Sequence, residues 1–199
     1  MLKKQNSTPG VTTAGVTAAG VTAAGAGAAA ATAPACSVEH VLSQADTPDK
    51  FCSALARLFG VRLTEVALLK LEKGLLRFVL PEQLKTAGSI PVSSSSAVAA
   101  HTASTKKTEL FNSFVKVKHA SIFETVKLST SDESGQQEQG TIQKLMSAPI
   151  LDTHRKVLGV IQISRKGYDL ATSGPDFTQD DLQQLELAAK IACSLPFMK

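Results

Sequence analysis

Tryptophan is absent from this chain of 199 residues, tyrosine occurs once, and aromatic residues make up only 5% of it. Proteins that grip single-stranded nucleic acid stack bases on aromatic side chains inside a basic groove. The formal net charge is +4 and the pI is near 9.0, but the basic residues are scattered. Lys106-Lys107 and Arg165-Lys166 are isolated pairs, and Lys116-Val-Lys118 alternates with an apolar residue. A nucleic-acid partner needs a denser basic stripe, so the charge is read as an ordinary, mildly basic surface and no nucleic acid is expected as a partner.

Cysteine is scarce as well. Cys36, Cys52 and Cys193 form no Cys-x-x-Cys pair, which excludes zinc-ribbon and thioredoxin-type chemistry. Cys52 and Cys193 fall on predicted helices beside apolar residues and are read as small buried hydrophobes. That usage suits a reducing cytoplasm. A run of about 20 strongly apolar residues, the length that spans a bilayer, is also missing, so no membrane partner is expected. Ala33-Pro-Ala-Cys36 follows an Ala-rich stretch, but that stretch lacks the strongly apolar centre of a secretory signal, and a cytoplasmic location is expected.

Large side chains are missing from the first third. Gly10 to Thr32 is almost entirely Gly, Ala, Val and Thr, with a five-residue repeat in Gly10-Val-Thr-Thr-Ala, Gly15-Val-Thr-Ala-Ala and Gly20-Val-Thr-Ala-Ala. Each ordered residue costs roughly 1–2 kcal/mol of backbone entropy, and these side chains offer little burial in return. Residues 1–35 are therefore expected to be a disordered Gly/Ala/Thr-rich tail. Residues 36–199, about 165 positions, suit one domain.

What is present reads as helices, a hairpin, a variable middle, a second hairpin and a last helix. Ser37 is a good helix cap, and Val38, Val41, Leu42 and Ala45 keep helical spacing. Thr47-Pro48 restarts a helix with the apolar stripe Phe51, Leu55, Leu58 and Phe59, and Gly60 stops it. Thr64 to Leu71 and Leu75 to Leu80 read as strands around the turn Glu72-Lys-Gly74. Ile90-Pro-Val92 is an edge strand at most. Ser93 to Ser96 are expected to cap a helix over Ala97 to Ala103. Glu109 to Leu128 fits a short strand and then a short helix, and Ser129 to Gly140 is a polar loop. Ile142 to Leu151 and Val157 to Ser164 then flank the polar turn Asp152-Thr-His-Arg-Lys156. Strands joined by so short a turn are antiparallel neighbours. Thr178, with Asp181 three residues on, opens the last helix with a near capping box.

The C-terminal third resembles the end of a GAF domain. Pro149-Ile150 and Val157-Leu-Gly-Val-Ile-Gln-Ile163 are similar to that family's last strand pair, and Phe177-Thr-Gln-Asp-Asp-Leu182 is similar to the start of its closing helix. Ala97 to Ala103 resembles the family's helix after the third strand. The resemblance implies an α+β fold, a GAF/PAS-like central antiparallel β-sheet with N- and C-terminal helices packed on one face. It also implies a sensory or regulatory module in signal transduction, with a small-molecule pocket between the sheet and the variable middle. The ligand is unidentified, the cofactor unknown.

Family members that bind cyclic nucleotides, attach bilins or reduce methionine sulfoxide carry markers that this chain lacks. It has no Asn-Lys-x-Asp-type run and no cysteine in the middle segment. No catalytic residue is assigned, and an enzyme of the methionine sulfoxide reductase type is the weakest reading. The candidates to line a cleft are Ser95, Ser96, His101, Asn112, Phe114, His119, Phe123 and Glu124, with Ser93 and Ser94 beside them. Small-molecule pockets combine apolar walls with a few convergent polar groups of this kind. His101, His119 and Glu124 lack the one-turn spacing of helical metal ligands, so no metal site is expected.

The last helix is unusually apolar. At about 100° per residue, Leu182, Leu185, Ala189 and Ala192 share one face, while Leu187, Ile191 and Leu195 fall on another. The second face needs a cover, either the chain's own N-terminal helices or a second copy. Leu187, Ile191 and Leu195 are accordingly the candidate homodimer interface, and a ligand-free dimerisation domain is the alternative function.

Overall fold

Thr47 and Pro48 begin the best-defined helix. Thr47 Oγ1 accepts the Lys50 N–H, proline occupies the first turn, and Gly60 ends the helix in the left-handed region at φ 58°. These are the stop and start devices expected there. A computed structural model describes residues 35–86, 88–114 and 141–199. Within them lie helices α1 (Ala35–Ser43), α2 (Pro48–Phe59), α3 (Val98–Thr105) and α4 (Gln179–Ala192). The strands are β1 (Val66–Glu72), β2 (Leu75–Leu80), β3 (Ser89–Pro91), β4 (Glu109–Phe111), β5 (Thr141–Leu151) and β6 (Val157–Gly167).

All six strands share one antiparallel sheet in the order β3-β2-β1-β6-β5-β4. Two hairpins, β1–β2 and β5–β6, form its centre, with β3 and β4 at its edges. Lys73 and Gly74, both at positive φ, make the tight turn of the first, the geometry that suits the right-handed twist of the strands. Asp152 organises the second, its Oδ1 accepting the N–H groups of His154 and Lys156, each at 2.8 Å. β6 is central, as its run of apolar residues suggested, and β3 is the edge strand expected around Pro91.

Period-two alternation sorts the strand side chains onto two covered faces. On one, Val66, Leu68, Met146, Ala148, Ile150, Ile161 and Ile163 pack against Phe51, Leu55 and Phe59 of α2 and Leu185, Ala189 and Ala192 of α4. The N- and C-terminal helices thus lie together on one face, and α1 touches α4. On the other, Ala67, Leu69, Leu145 and Val160 meet Val98, Ala99, Ala100 and Ala103 of α3. This is the α+β arrangement expected from the sequence.

Thr178 and Asp181 complete the capping box of α4. Thr178 Oγ1 accepts the Asp181 N–H at 3.1 Å, and Asp181 Oδ2 accepts the Thr178 N–H at 2.8 Å. Gly159 is needed where it stands. A Cβ there would collide with the Leu69 carbonyl oxygen and lie 2.7 Å from Met198 Cε. The ammonium of Lys70 anchors the end of the chain, donating to the carbonyls of Phe197 at 3.3 Å and Lys199 at 2.7 Å.

Three local expectations need correction. α1 begins at Ala35, ahead of Ser37, and Val41 is 54% exposed while Leu42 and Ala45 are buried. The serines do not cap α3: its N-cap residue is Ala97, with no side-chain bond, and Ser94 Oγ instead sits 3.1 Å from Ser96 Oγ. Strand formation begins at Val66, preceded by a 3-10 turn over Leu63–Glu65. The short helix expected after β4 lies outside the described residues, as do residues 1–34 of the expected tail, whose last residue, Ala35, opens α1.

Candidate functional site

α3 is built of small residues. Ala99, Ala100 and Ala103 are buried against the sheet, and short side chains let a helix axis lie close to its neighbour. Beneath this apolar lid the sheet carries polar groups. Ser147 on β5 and Gln162 on β6 are register partners, and both are buried. Ser164, one pleat further on, is fully buried and donates to the Glu65 carbonyl at 3.0 Å.

A chain of contacts runs from that floor to the surface. Gln162 Nε2 donates to Ser147 Oγ at 3.4 Å. Ser147 Oγ lies 2.7 Å from Thr102 Oγ1, which lies 3.0 Å from Glu109 Oε2. Thr102 has a single hydroxyl hydrogen. Given to the carboxylate, it leaves Ser147 as donor to Thr102, and every member of the chain is served. The other carboxylate oxygen, Glu109 Oε1, is 2.9 Å from His101 Nδ1, whose side chain is 48% exposed. The seam thus links α3, β4, β5 and β6 through one connected set of polar atoms. Such sets are costly to bury unless satisfied, because the dielectric around them is low.

Of the eight candidate ligand residues, the structure brings one into this seam, His101. Asn112 has another task. Its Nδ2 donates to the Phe177 carbonyl and its Oδ1 accepts the Phe177 N–H, both at 2.9 Å. Both ends of the amide are engaged, and it ties β4 to the entrance of α4. Phe114 is buried in the α3-side core, with its ring edge-on to Phe111 at 6.2 Å. Ser95 and Ser96 are exposed in the loop before α3. His119, Phe123 and Glu124 lie outside the described residues. Between Asn112 and Phe114, the Ser113 hydroxyl is buried without a hydrogen-bond partner among the described residues.

Sequence reasoning missed Thr102, Glu109, Ser147 and Gln162. The signal was there in principle: Gln162 and Ser164 share a strand face with buried Val160. An alternating polar residue ordinarily marks a solvent face, and only the position of α3 shows that this face is covered.

For the candidate interface on α4, Leu187 and Ile191 are partly exposed, whereas Leu195 is 4% exposed and packs in the chain's own core. Leu195 is therefore corrected from interface to core. The thiols differ as well. Cys52 is fully buried, and burial, with a smaller push from the Asp49 carboxylate, raises its pKa to about 12. Cys193 is half-buried and its thiol donates to the Lys190 carbonyl at 3.0 Å. No group of three or more His, Cys, Asp or Glu side chains converges among the described residues, and none of their helices is long and apolar enough to cross a membrane.

Residues 26–198 match the model of a family described as "Leucine-rich repeat domain". The described residues show no stacked repeats, since all six strands share one sheet. No curated protein matches the chain. Among solved structures, the chain is similar to the GAF domain of an Acinetobacter phosphoenolpyruvate-protein phosphotransferase, with a TM-score of 0.55 and 11% identity over 79% of this chain and 86% of that one. A putative GAF sensor protein from Burkholderia vietnamiensis gives a TM-score of 0.52 and 10% identity over 81% and 89%. Another GAF domain gives 0.50 and 18% identity over 79% and 82%. These likenesses establish a GAF-type fold.

Proposed function

This chain belongs to the family described as "Leucine-rich repeat domain", and from its GAF-type fold we propose that it is a GAF-type sensory or regulatory module in signal transduction that binds a small molecule beside α3. The observation that carries this reading is the GAF-type fold, with the polar seam Glu109–Thr102–Ser147–Gln162 set beside the apolar core on the α3 side of the sheet. Apolar walls with a few placed polar groups are what a small-molecule site requires. The buried Ser113 hydroxyl next to Phe114 has no hydrogen-bond partner among the described residues. The relative named as a putative GAF sensor protein points the same way. Free Cys52 and Cys193 suit a reducing compartment, and we place the working protein in the cytoplasm.

The test is a screen of small metabolites by two-dimensional NMR on the full chain. A ligand is expected to move the amides of Thr102, Glu109, Ser147 and Gln162, and to lose affinity in Gln162→Leu. Binding whose shifts avoid α3 and the β5–β6 face would contradict the site.

A second reading has its own observation. Leu187 and Ile191 remain partly exposed on α4, and Val41 is 54% exposed on α1, the helix beside it. A homodimer closing over this strip is the alternative function, with no ligand required. Charged residues at Leu187 and Ile191 would then give a folded monomer by analytical ultracentrifugation, and a wild-type chain that is monomeric at high concentration rules it out. Cys52 is not favoured as a reactive thiol, because burial holds its pKa far above neutral.

A further inference from the structure

Away from α3's sheet-facing side, a depression of about 260 Å³ opens where β4 stops short of the end of β5. Pro149 and Leu151 of β5 line it together with Lys106, Thr108, Arg155, Glu186 and Lys190. Three cations and one carboxylate thus face a single hollow, from the α3–β4 turn, the β5–β6 hairpin and α4.

The side chains of Lys106, Arg155 and Lys190 make no hydrogen bond or ion pair among the described residues. Like charges held round one hollow repel each other, and an anion placed between them removes that repulsion. Helix C-termini favour cations, which accounts for Lys106 after α3 and Lys190 in the last turn of α4. It does not account for Arg155, which sits in a hairpin.

Two of the three cations sit at left-handed backbone positions, a conformation that Lys73 also takes in the β1–β2 turn. Lys106 has φ 57° and Arg155 has φ 59°. Glycine or asparagine is the usual occupant of that left-handed region, and other side chains are strained there. Gly60 takes this conformation at the end of α2. At two positions bordering one hollow the chain instead carries a long cation. Arg155 is held in place by its own turn, its N–H bonding to the Asp152 carbonyl at 3.0 Å.

We infer that this hollow is an anion-binding site for a phosphate dianion, free or as a small phosphate monoester, held by Arg155, Lys106 and Lys190 with the Thr108 hydroxyl beside them. Arg155 supplies the planar fork that takes two phosphate oxygens at once, and the lysines act as point charges. Glu186 opposes the anion and sets how tightly it is held. This site is separate from the seam beneath α3 and does not depend on the function proposed above.

The experiment titrates the full chain at pH 8 with inorganic phosphate in one arm and glycerol 3-phosphate in the other, at ionic strength fixed with sodium chloride. Amide shifts in two-dimensional NMR are the readout. Saturable shifts are expected at Lys106, Thr108, Arg155 and Lys190. Saturation in the first arm alone identifies free phosphate as the ligand, and saturation in the second identifies a monoester. The pair Arg155→Gln and Lys190→Gln is expected to weaken binding by at least about tenfold. Glu186→Gln is expected to tighten it about threefold, which a merely structural carboxylate would not do. Unchanged spectra elsewhere show that the variants remain folded. Non-saturable shifts in both arms, affinity unchanged by the double substitution, or Glu186→Gln that fails to tighten binding would each overturn the site.

Discussion

Asn112 holds the Phe177 peptide by both its polar groups, donating to the carbonyl and accepting from the N–H at 2.9 Å each. One side chain thus replaces a strand partner and fixes the end of β4 to the loop that opens α4. Asn112→Ala leaves two backbone groups unsatisfied and should destabilise the fold by about 2 kcal/mol. The denaturant midpoint should fall with the slope unchanged. Asn112→Asp should cost at least as much, because a carboxylate cannot donate to the Phe177 carbonyl. A midpoint within error of the wild type would show that the clamp is idle.

Gly159 carries the tightest steric constraint. Gly159→Ala drives a methyl into the Leu69 carbonyl and towards Met198 Cε. Its neighbours there are strand backbone, which yields little, so a loss of about 3 kcal/mol is expected. Met198→Ala should not rescue it, because the backbone clash remains. Thermal unfolding of the single and double variants checks both statements.

The buried seam should behave as a unit. Thr102→Val and Ser147→Ala each remove one hydroxyl from a connected set, and each should cost about 1–2 kcal/mol. The double variant should cost less than the sum, with a coupling of about 1 kcal/mol. Additive losses in chemical denaturation would mean that the 2.7 Å contact contributes nothing of its own.

Cys52 gives a pH dependence of defined sign. Burial raises its folded pKa from 9.0 to about 12. Between those values the unfolded thiol loses its proton while the folded one keeps it. The stabilisation is therefore complete below about pH 9 and is lost as pH rises towards 12, at no more than about 1.4 kcal/mol per pH unit. Other groups titrate in the same range, so the difference between the wild type and Cys52→Ala isolates the effect. Thiol labelling should reach Cys193 before Cys52, which should react only on unfolding.

The closing hairpin and helix, and the end of α2, were legible in the sequence because their punctuation is unambiguous. Thr178 and Asp181 admit one helix start, Asp152 and its neighbours one turn, and Gly60 one helix end. Ser93 to Ser96 misled because four adjacent serines offer the same cap chemistry, and the helix starts beyond all of them at a buried alanine. Leu195 misled because helix angles alone do not show that the chain turns after Ala192 and folds Leu195 into its own core. The seam was least legible. Period two places Gln162 and Ser147 on one face of the sheet, but whether water or α3 covers that face is a tertiary fact.

Native mass spectrometry of the full chain in fractionated metabolite extract tests the proposed small-molecule site beside α3. A single small-molecule adduct is predicted, accompanied by a rise in melting temperature that grows with concentration and lost in Gln162→Leu. A chain that shows its own mass in every fraction, with no thermal shift, would contradict the claim, as would an adduct indifferent to that substitution.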